Sequence, residues 1–253
     1  MTPNPPPGAA PSVGVLGAGG MGSGIAQVTA LAGCPTTCVD PDADARARGA
    51  ELVVSGRFGL DRAVERGRIT RADADAAVDR LTFGDDLRAA AAADIVIEAV
   101  PERLDLKIRV FRDLDRLAPA STILASNTSG FPIQAIAAAT DRPELVIGWH
   151  WASPAPVMRM AEIVRTPLTA DATVETVTAL AHRCDKNPIV VNDTDTSWGF
   201  VANRVYFAMI REAQRVVQEG VATREDVDQL MVDCFRWPAG PFGMVRGAGS
   251  GWS

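Results

Sequence analysis

The sequence predicts a doubly wound parallel α/β sheet followed by a smaller all-α domain. Short apolar strand candidates alternate with helical stretches along most of the chain. A glycine cluster stands where the first strand hands over to the first helix. Near residue 190 the alternation gives way to long helical periodicity. At 253 residues the chain can bury a substantial core in one large or two modest domains.

Val13-Gly-Val-Leu16 reads as a short buried strand entering Gly17-Ala-Gly-Gly-Met-Gly22, with Ile25 to Leu31 helical behind it. Gly33 closes that helix, and Thr36-Thr-Cys-Val39 is a second strand ending at Asp40. Residues 42–80 alternate Asp, Ala and Arg with apolar positions, which suits two solvated amphipathic helices. Ile95-Val-Ile97, flanked by Asp94 and Glu98, is a third strand. Ile123-Leu-Ala125 and Leu145-Val-Ile147 follow, separated by helical stretches at 103–117 and 132–139, and a further helix spans 171–183. Phe200 to Glu219 reads as one long helix. The next helix is capped by Thr223 with Asp226 three residues on, a capping box with Asp in place of Glu or Gln. The glycine-rich tail from Gly240 to Ser253 shows no helix. A domain boundary is expected around 188–198, giving a disordered tail at 1–12, a sheet domain at 13–190 and a helical domain at 191–253.

The net charge of −6 offers no electrostatic reason to bind nucleic acid or an anionic membrane. Any phosphate-bearing ligand must then be held by local geometry. The first twelve residues carry no Arg or Lys and no apolar run, so no targeting signal is read there, and no stretch reaches the length of a membrane span. Cys34, Cys38, Cys184 and Cys234 lack metal-ligand spacing, so no metal site is expected. A reducing cytoplasm is the expected location.

Gly17, Gly19 and Gly22 satisfy G-x-G-x-x-G, the glycines serving a tight turn, close backbone approach to a pyrophosphate, and helix-on-strand packing. Gly20 and Met21 complete the loop, and the helix start offers N–H groups and partial positive charge to phosphates. Glycine clusters also mark plain turns. Here the motif follows a strand, opens a helix, and has Asp40 at the end of the next strand, the context of a Rossmann-type dinucleotide site. Asp40 accepts hydrogen bonds from ribose hydroxyls and repels a 2′-phosphate. No Arg or Lys follows it until Arg46, which favours NAD over NADP.

Oxidation of an alcohol by hydride transfer needs a base that titrates near neutrality. Of the two histidines, His182 lies in a helical stretch and reads as solvated. His150 follows the Leu145–Ile147 strand, at the edge of the sheet where ligands bind. Packing between Trp149 and Trp151 is its structural alternative.

The stretches Gly17–Gly24, Ile97-Glu-Ala-Val-Pro-Glu102, Ala125-Ser-Asn-Thr-Ser129, Gly148-Trp-His150, Pro156-Val-Met158, Ala161-Glu-Ile-Val164 and Gly199-Phe-Val-Ala-Asn-Arg204 occur in one order and spacing. Together they resemble the 3-hydroxyacyl-CoA dehydrogenase family over residues 12–245, nearest to its bacterial 3-hydroxybutyryl-CoA branch. The resemblance implies His150 as catalytic base, with Glu162 orienting and supporting it. Ser129 would contact the substrate hydroxyl and the nicotinamide, and Asn203 would hold the reacting oxygen. Glu102, Lys107, Asn127 and Ser153 fall with Ser129 on the cofactor side of the site. It implies NAD as cofactor, a short-chain (S)-3-hydroxyacyl-CoA as substrate and a homodimer. Taken singly, Glu162 is also compatible with a surface strand, Ser129 with a cap for the helix from Phe131, and Asn203 with a solvated helix.

Three features depart from the family pattern. His150-Trp-Ala-Ser-Pro154 stands where the family has His-Phe-Phe-Asn-Pro, so Ser153 offers one short hydroxyl in place of an amide. The family continues beyond Gly240-Pro-Phe242 with helices that build much of its dimer interface and part of its acyl pocket, so the helical domain reads as shortened. A small insertion falls at 190–199. Arg57, Arg62, Arg66 and Arg68 are candidates for the CoA phosphates, although helical arginines are commonly solvated. Related dehydrogenases act on CoA-free 3-hydroxy acids or on acyl-carrier-bound groups, and a non-catalytic NAD-binding homologue is the rival of another class.

Overall fold

The computed structural model describes residues 10–196 and 198–245. The tail expected at the N-terminus, for residues 1–9, and the end of the glycine-rich C-terminus, residues 246–253, lie outside the described residues. The chain divides into two compact units, Met1–Trp198 and Gly199–Ser253.

In the first unit β1 (Val13–Leu16), α1 (Gly20–Leu31), β2 (Thr36–Val39) and α2 (Ala43–Val54) follow in order. They are succeeded by α3 (Leu60–Glu65), α4 (Arg71–Asp79), β3 (Leu81–Gly84), α5 (Leu87–Ala91) and β4 (Ile95–Glu98). Then come α6 (Leu104–Leu117), β5 (Ile123–Ser126), α7 (Ile133–Ala137), β6 (Val146–Trp151), β7 (Met160–Arg165), α8 (Asp171–Arg183) and β8 (Asn187–Asn192). The eight strands form one sheet in the order β3-β2-β1-β4-β5-β6-β7-β8. The strand order reverses between β1 and β4, and this switch point opens a crevice at the strands' carboxyl ends. β1, β4, β5 and β6 are buried along their whole length, which is why their sequences are predominantly apolar, with Glu98, Ser126 and His150 as polar exceptions at or near the carboxyl ends. Val15, Ile25, Ile97, Trp149 and Ile163 belong to the resulting core.

The structure corrects several sequence expectations. Residues 42–80 hold three helices, not two, because the chain turns tightly at 55–59, where Gly59 N–H donates to the Gly56 carbonyl at 2.8 Å. β3 and α5 are additional. β3 is an edge strand with no buried residue, so it lacks the apolar signal of the central strands. β6 begins at Val146 and runs on through His150. The sheet is not wholly parallel. β7 returns antiparallel to β6, and β8 then pairs parallel to β7. β8 is again an edge strand, with Ile189 and Val190 exposed, which hid it among the linker residues.

The second unit holds α9 (Ala202–Gln218) and α10 (Arg224–Phe235). Thr223 and Asp226 make the expected reciprocal box: Thr223 Oγ1 accepts from Asp226 N at 3.1 Å, and Asp226 Oδ2 accepts from Thr223 N at 3.3 Å. The tail differs from expectation, since residues 241–245 are helical. Their cap comes from α10, where the Asp228 carboxylate accepts from Phe242 N at 2.7 Å and Gly243 N at 2.8 Å. No local sequence signal reveals a cap supplied from that distance. Phe242 packs with Ala213 and Val227 to make this unit's small core.

Candidate active site

The carboxyl end of β1 leads into a turn that only glycine tolerates at two points. Gly17 has φ +98° and donates to the Val39 carbonyl at 2.8 Å. A Cβ on Gly22 would stand 1.7 Å from the Gly17 carbonyl oxygen, so the helix lies directly on the turn. At Gly19 and Gly20, by contrast, a Cβ meets no protein atom within 4 Å. Glycine there leaves room for something outside the protein. α1 has no side-chain cap, so its first N–H groups face that room, with Met21 half-buried beside them. A pyrophosphate fits this cradle.

Asp40, just past β2, is braced against the turn. Its Oδ2 accepts from Ala18 N at 2.9 Å and its Oδ1 from Asp42 N at 2.9 Å. Arg46, the first cation after it, donates to the Asp40 and Pro41 carbonyls at 2.7 and 3.1 Å. That guanidinium is engaged by backbone next to a fixed carboxylate, a poor setting for a 2′-phosphate. Cys38 packs under the turn, and burial pushes its thiol up to about 12, so it serves as an apolar residue and not as a nucleophile.

On the other side of the switch point a buried polar network joins β4, α6 and β5. Lys107 Nζ meets Glu98 Oε1 at 2.7 Å and Glu102 Oε2 at 3.1 Å. Glu98 also accepts from Ser126 Oγ at 2.7 Å and Val100 N at 2.8 Å. Glu102 Oε1 accepts from Thr128 Oγ1 at 2.6 Å and Ser129 N at 2.9 Å. Thr128 Oγ1 receives the Gly130 and Phe131 N–H groups at 3.3 and 3.0 Å within the loop, and α7 begins only at Ile133, with Pro132 at its N-cap. Asn127 Oδ1 accepts from Trp151 N at 2.9 Å and ties this loop to the end of β6. Glu98, Ser126 and Thr128 were missed as site residues in the sequence. The available signal was an acid ending an apolar strand with a lysine on the following helix.

His150 and Glu162 stand opposite one another in the antiparallel β6–β7 register. Nδ1 of His150 lies 2.7 Å from Glu162 Oε2, with the residues 6 % and 4 % exposed. The pair is therefore a dry contact, in which one imidazole nitrogen is committed to a carboxylate. Lys186, unforeseen in the sequence, supports the loop between the two strands, donating to the Ala155 and Met158 carbonyls at 2.6 and 2.8 Å. Burial holds its ammonium below the ordinary lysine value. Ser153 lies exposed on that loop. His182 is exposed on α8, as the sequence suggests. Asn203, on the first turn of α9, is half-buried within the second unit.

A separate cavity of about 400 Å³ is lined by Arg62, Arg66, Arg68, Arg159, Arg183 and Lys186, among others. Three of the four arginines singled out in the sequence thus share one wall, and Arg57 is not among the lining residues. Among the described residues no cluster of His, Cys, Asp or Glu is arranged to hold a metal, and no helix is long and apolar enough to cross a membrane.

Residues 12–194 match the family model described as 3-hydroxyacyl-CoA dehydrogenase, NAD binding domain. Residues 199–253 match the model of that family's C-terminal domain. A probable 3-hydroxybutyryl-CoA dehydrogenase of Bacillus subtilis is 42 % identical over 231 residues, covering 91 % of this chain and 78 % of the relative. A 3-hydroxybutyryl-CoA dehydrogenase of Mycobacterium tuberculosis is 40 % identical over 90 % of this chain and 79 % of its own. The crystal structure of the (S)-3-hydroxybutyryl-CoA dehydrogenase of Ralstonia eutropha superposes with a TM-score of 0.86 at 38 % identity, covering 92 % of this chain and 80 % of that one.

Proposed function

The chain belongs to the 3-hydroxyacyl-CoA dehydrogenase family, and from that premise we propose that it interconverts a short-chain (S)-3-hydroxyacyl-CoA and its 3-ketoacyl-CoA with NAD. The observation that carries this reading is the buried His150–Glu162 contact at the same sheet edge as the glycine turn. Bound NAD supplies the hydride acceptor at its nicotinamide ring. His150 acts as the base: with Nδ1 committed to Glu162, its lone pair lies on Nε2, which takes the proton from the substrate's 3-hydroxyl. Glu162 fixes that tautomer and stabilises the imidazolium as it forms. Ser129 and Asn203 are assigned to the reacting oxygen, where hydroxyl and amide donors lower the energy of alkoxide-like charge. Gly17, Gly19, Gly20, Met21 and Gly22 cradle the pyrophosphate, and Asp40 takes the adenosine ribose. Glu102, Lys107 and Asn127 shape the nicotinamide side, with Ser153 at its rim.

The carrier's phosphates need cations, although the chain as a whole carries −6. We assign them to the arginine-lined cavity, one wall of which is Pro156–Val157 and Arg159 of the loop following His150. The same reading carries a homodimer in a reducing cytoplasm. Exposed Val205, Leu230 and Phe235 on the helical unit and four unpaired cysteines support it.

Initial rates with 3-hydroxybutyryl-CoA, free 3-hydroxybutyrate and an acyl-carrier-protein thioester, each with NAD and NADP, test the assignment. The expected result is the highest kcat/KM for the CoA thioester with NAD. A preference for the free acid or the protein-bound form would replace the proposed substrate.

A further inference from the structure

His150 and Glu162 meet close to the open end of their ladder. His150↔Glu162 and Trp151↔Ala161 are the last two rungs of the β6–β7 pairing before the loop at residues 152–159. Rungs beside a loop open first unless the loop is fixed. Residues 185–187 fix this one. Lys186 Nζ donates to the Ala155 carbonyl at 2.6 Å and to the Met158 carbonyl at 2.8 Å. Asn187 N donates to the Arg159 carbonyl at 2.7 Å, and the Asp185 carboxylate accepts from the Arg159 guanidinium at 3.0 Å in an exposed pair. The Lys186 ammonium also stands 5.2 Å from the ring centre of Trp151, the residue next to His150. Its backbone is anchored in turn, because Lys186 N donates to the Ala181 carbonyl of α8 at 2.9 Å.

A buried cation is a costly tie for a loop. Lys186 is 5 % exposed, and among the described residues no carboxylate pairs with it. Two carbonyls and the face of an indole ring take the place of a counter-ion. Ala155 is fully buried, so a side chain of similar length without a donor would leave its carbonyl short of this hydrogen bond. Lys186 also lines the arginine cavity, which gives it a rival role as a contact to the carrier's phosphates. The two roles predict different kinetics.

We propose that Lys186 is a positioning residue for the reaction: by holding the Ala155 and Met158 carbonyls it keeps the end of the β6–β7 ladder in register, and with it the contact between His150 Nδ1 and Glu162 Oε2. It acts through that pair and touches no reacting atom. A base works only within hydrogen-bond reach of its proton, so a displacement of about 1 Å costs up to a hundredfold in rate. The proposal rests on the reading of His150 as the base.

The test is Lys186→Met, compared with the unaltered protein in kcat and KM for 3-hydroxybutyryl-CoA, NAD⁺ Kd and thermal unfolding. The expected result is a kcat lowered roughly tenfold to a hundredfold, with KM and NAD⁺ Kd each within about threefold. A raised KM with kcat within about twofold overturns the proposal and makes Lys186 a carrier contact. A lowered unfolding temperature with kcat and KM unchanged overturns it too, leaving a purely structural tie. So does a loss of NAD⁺ binding that matches the loss of turnover. If Lys186→Met does not fold, Lys186→Gln, which retains an amide donor but is too short to serve both carbonyls, decides by the same split. Absence of turnover in the unaltered protein overturns the reading of His150 itself, whatever the variants do.

Discussion

The glycine turn at residues 17–22 and the His150–Glu162 pair occupy the same edge of one sheet, but they are made in different ways. The turn is backbone: four glycines among six consecutive residues, whose lack of side chains creates a cradle. The pair is side chain: two residues that meet only because β7 reverses direction beside β6. The first selects a ligand class, since pyrophosphates belong to many dinucleotides. The second selects a reaction, since a carboxylate-supported imidazole is a base positioned for one proton. Binding and chemistry are therefore separable in this molecule, and substitutions should separate them.

Short of removing His150 itself, the largest effect expected of that separation is from Glu162→Gln. The amide keeps a contact to Nδ1 but gives the imidazolium no counter-charge, so kcat should fall roughly a hundredfold to a thousandfold with little change in NAD⁺ affinity. Steady-state rates beside a cofactor titration measure both. Gly22→Ala attacks the other region. Its methyl would enter the space of the Gly17 carbonyl oxygen, and overpacking of this kind costs about 1–3 kcal/mol. Thermal unfolding should shift downward and NAD⁺ should bind more weakly, while the pH dependence of the residual turnover stays that of the unaltered protein. The smallest effect is expected from Asp40→Asn. Its oxygen retains one brace to the turn, and loss of the charge should narrow the NAD over NADP preference by several-fold in kcat/KM. An Asp40→Asn protein whose cofactor preference does not move would relieve Asp40 of any recognition role.

The two regions were also unequally legible in the sequence. The turn announces itself because its chemistry is local: strand, glycines, helix and the acid after the next strand all fall between Val13 and Asp40. The buried strands β1, β4 and β5 were readable for the same reason, each opening on a run of apolar residues. His150 and Glu162 come from a resemblance of combined motifs, because nothing in their spacing of twelve residues specifies a direct antiparallel pairing. The edge strand β3 was invisible because it has no apolar run, and β8, although it carries Ile189-Val-Val191, fell among residues read as the domain boundary. Lys186 was silent too, because its partners are carbonyls of a loop whose path no pattern encodes. Likewise Glu98 showed as a strand-flanking acid, but its sharing of Lys107 with Glu102 is a product of packing.

The most direct test compares NADH formation from (S)-3-hydroxybutyryl-CoA and NAD⁺ by the unaltered protein and by His150→Gln, with NAD⁺ binding followed in both. The account predicts turnover by the unaltered protein, a loss of roughly a thousandfold or more in the variant, and NAD⁺ Kd values that agree within about twofold. Turnover that survives in His150→Gln, or loss of NAD⁺ binding together with turnover, would contradict the division between a turn that binds and a pair that reacts.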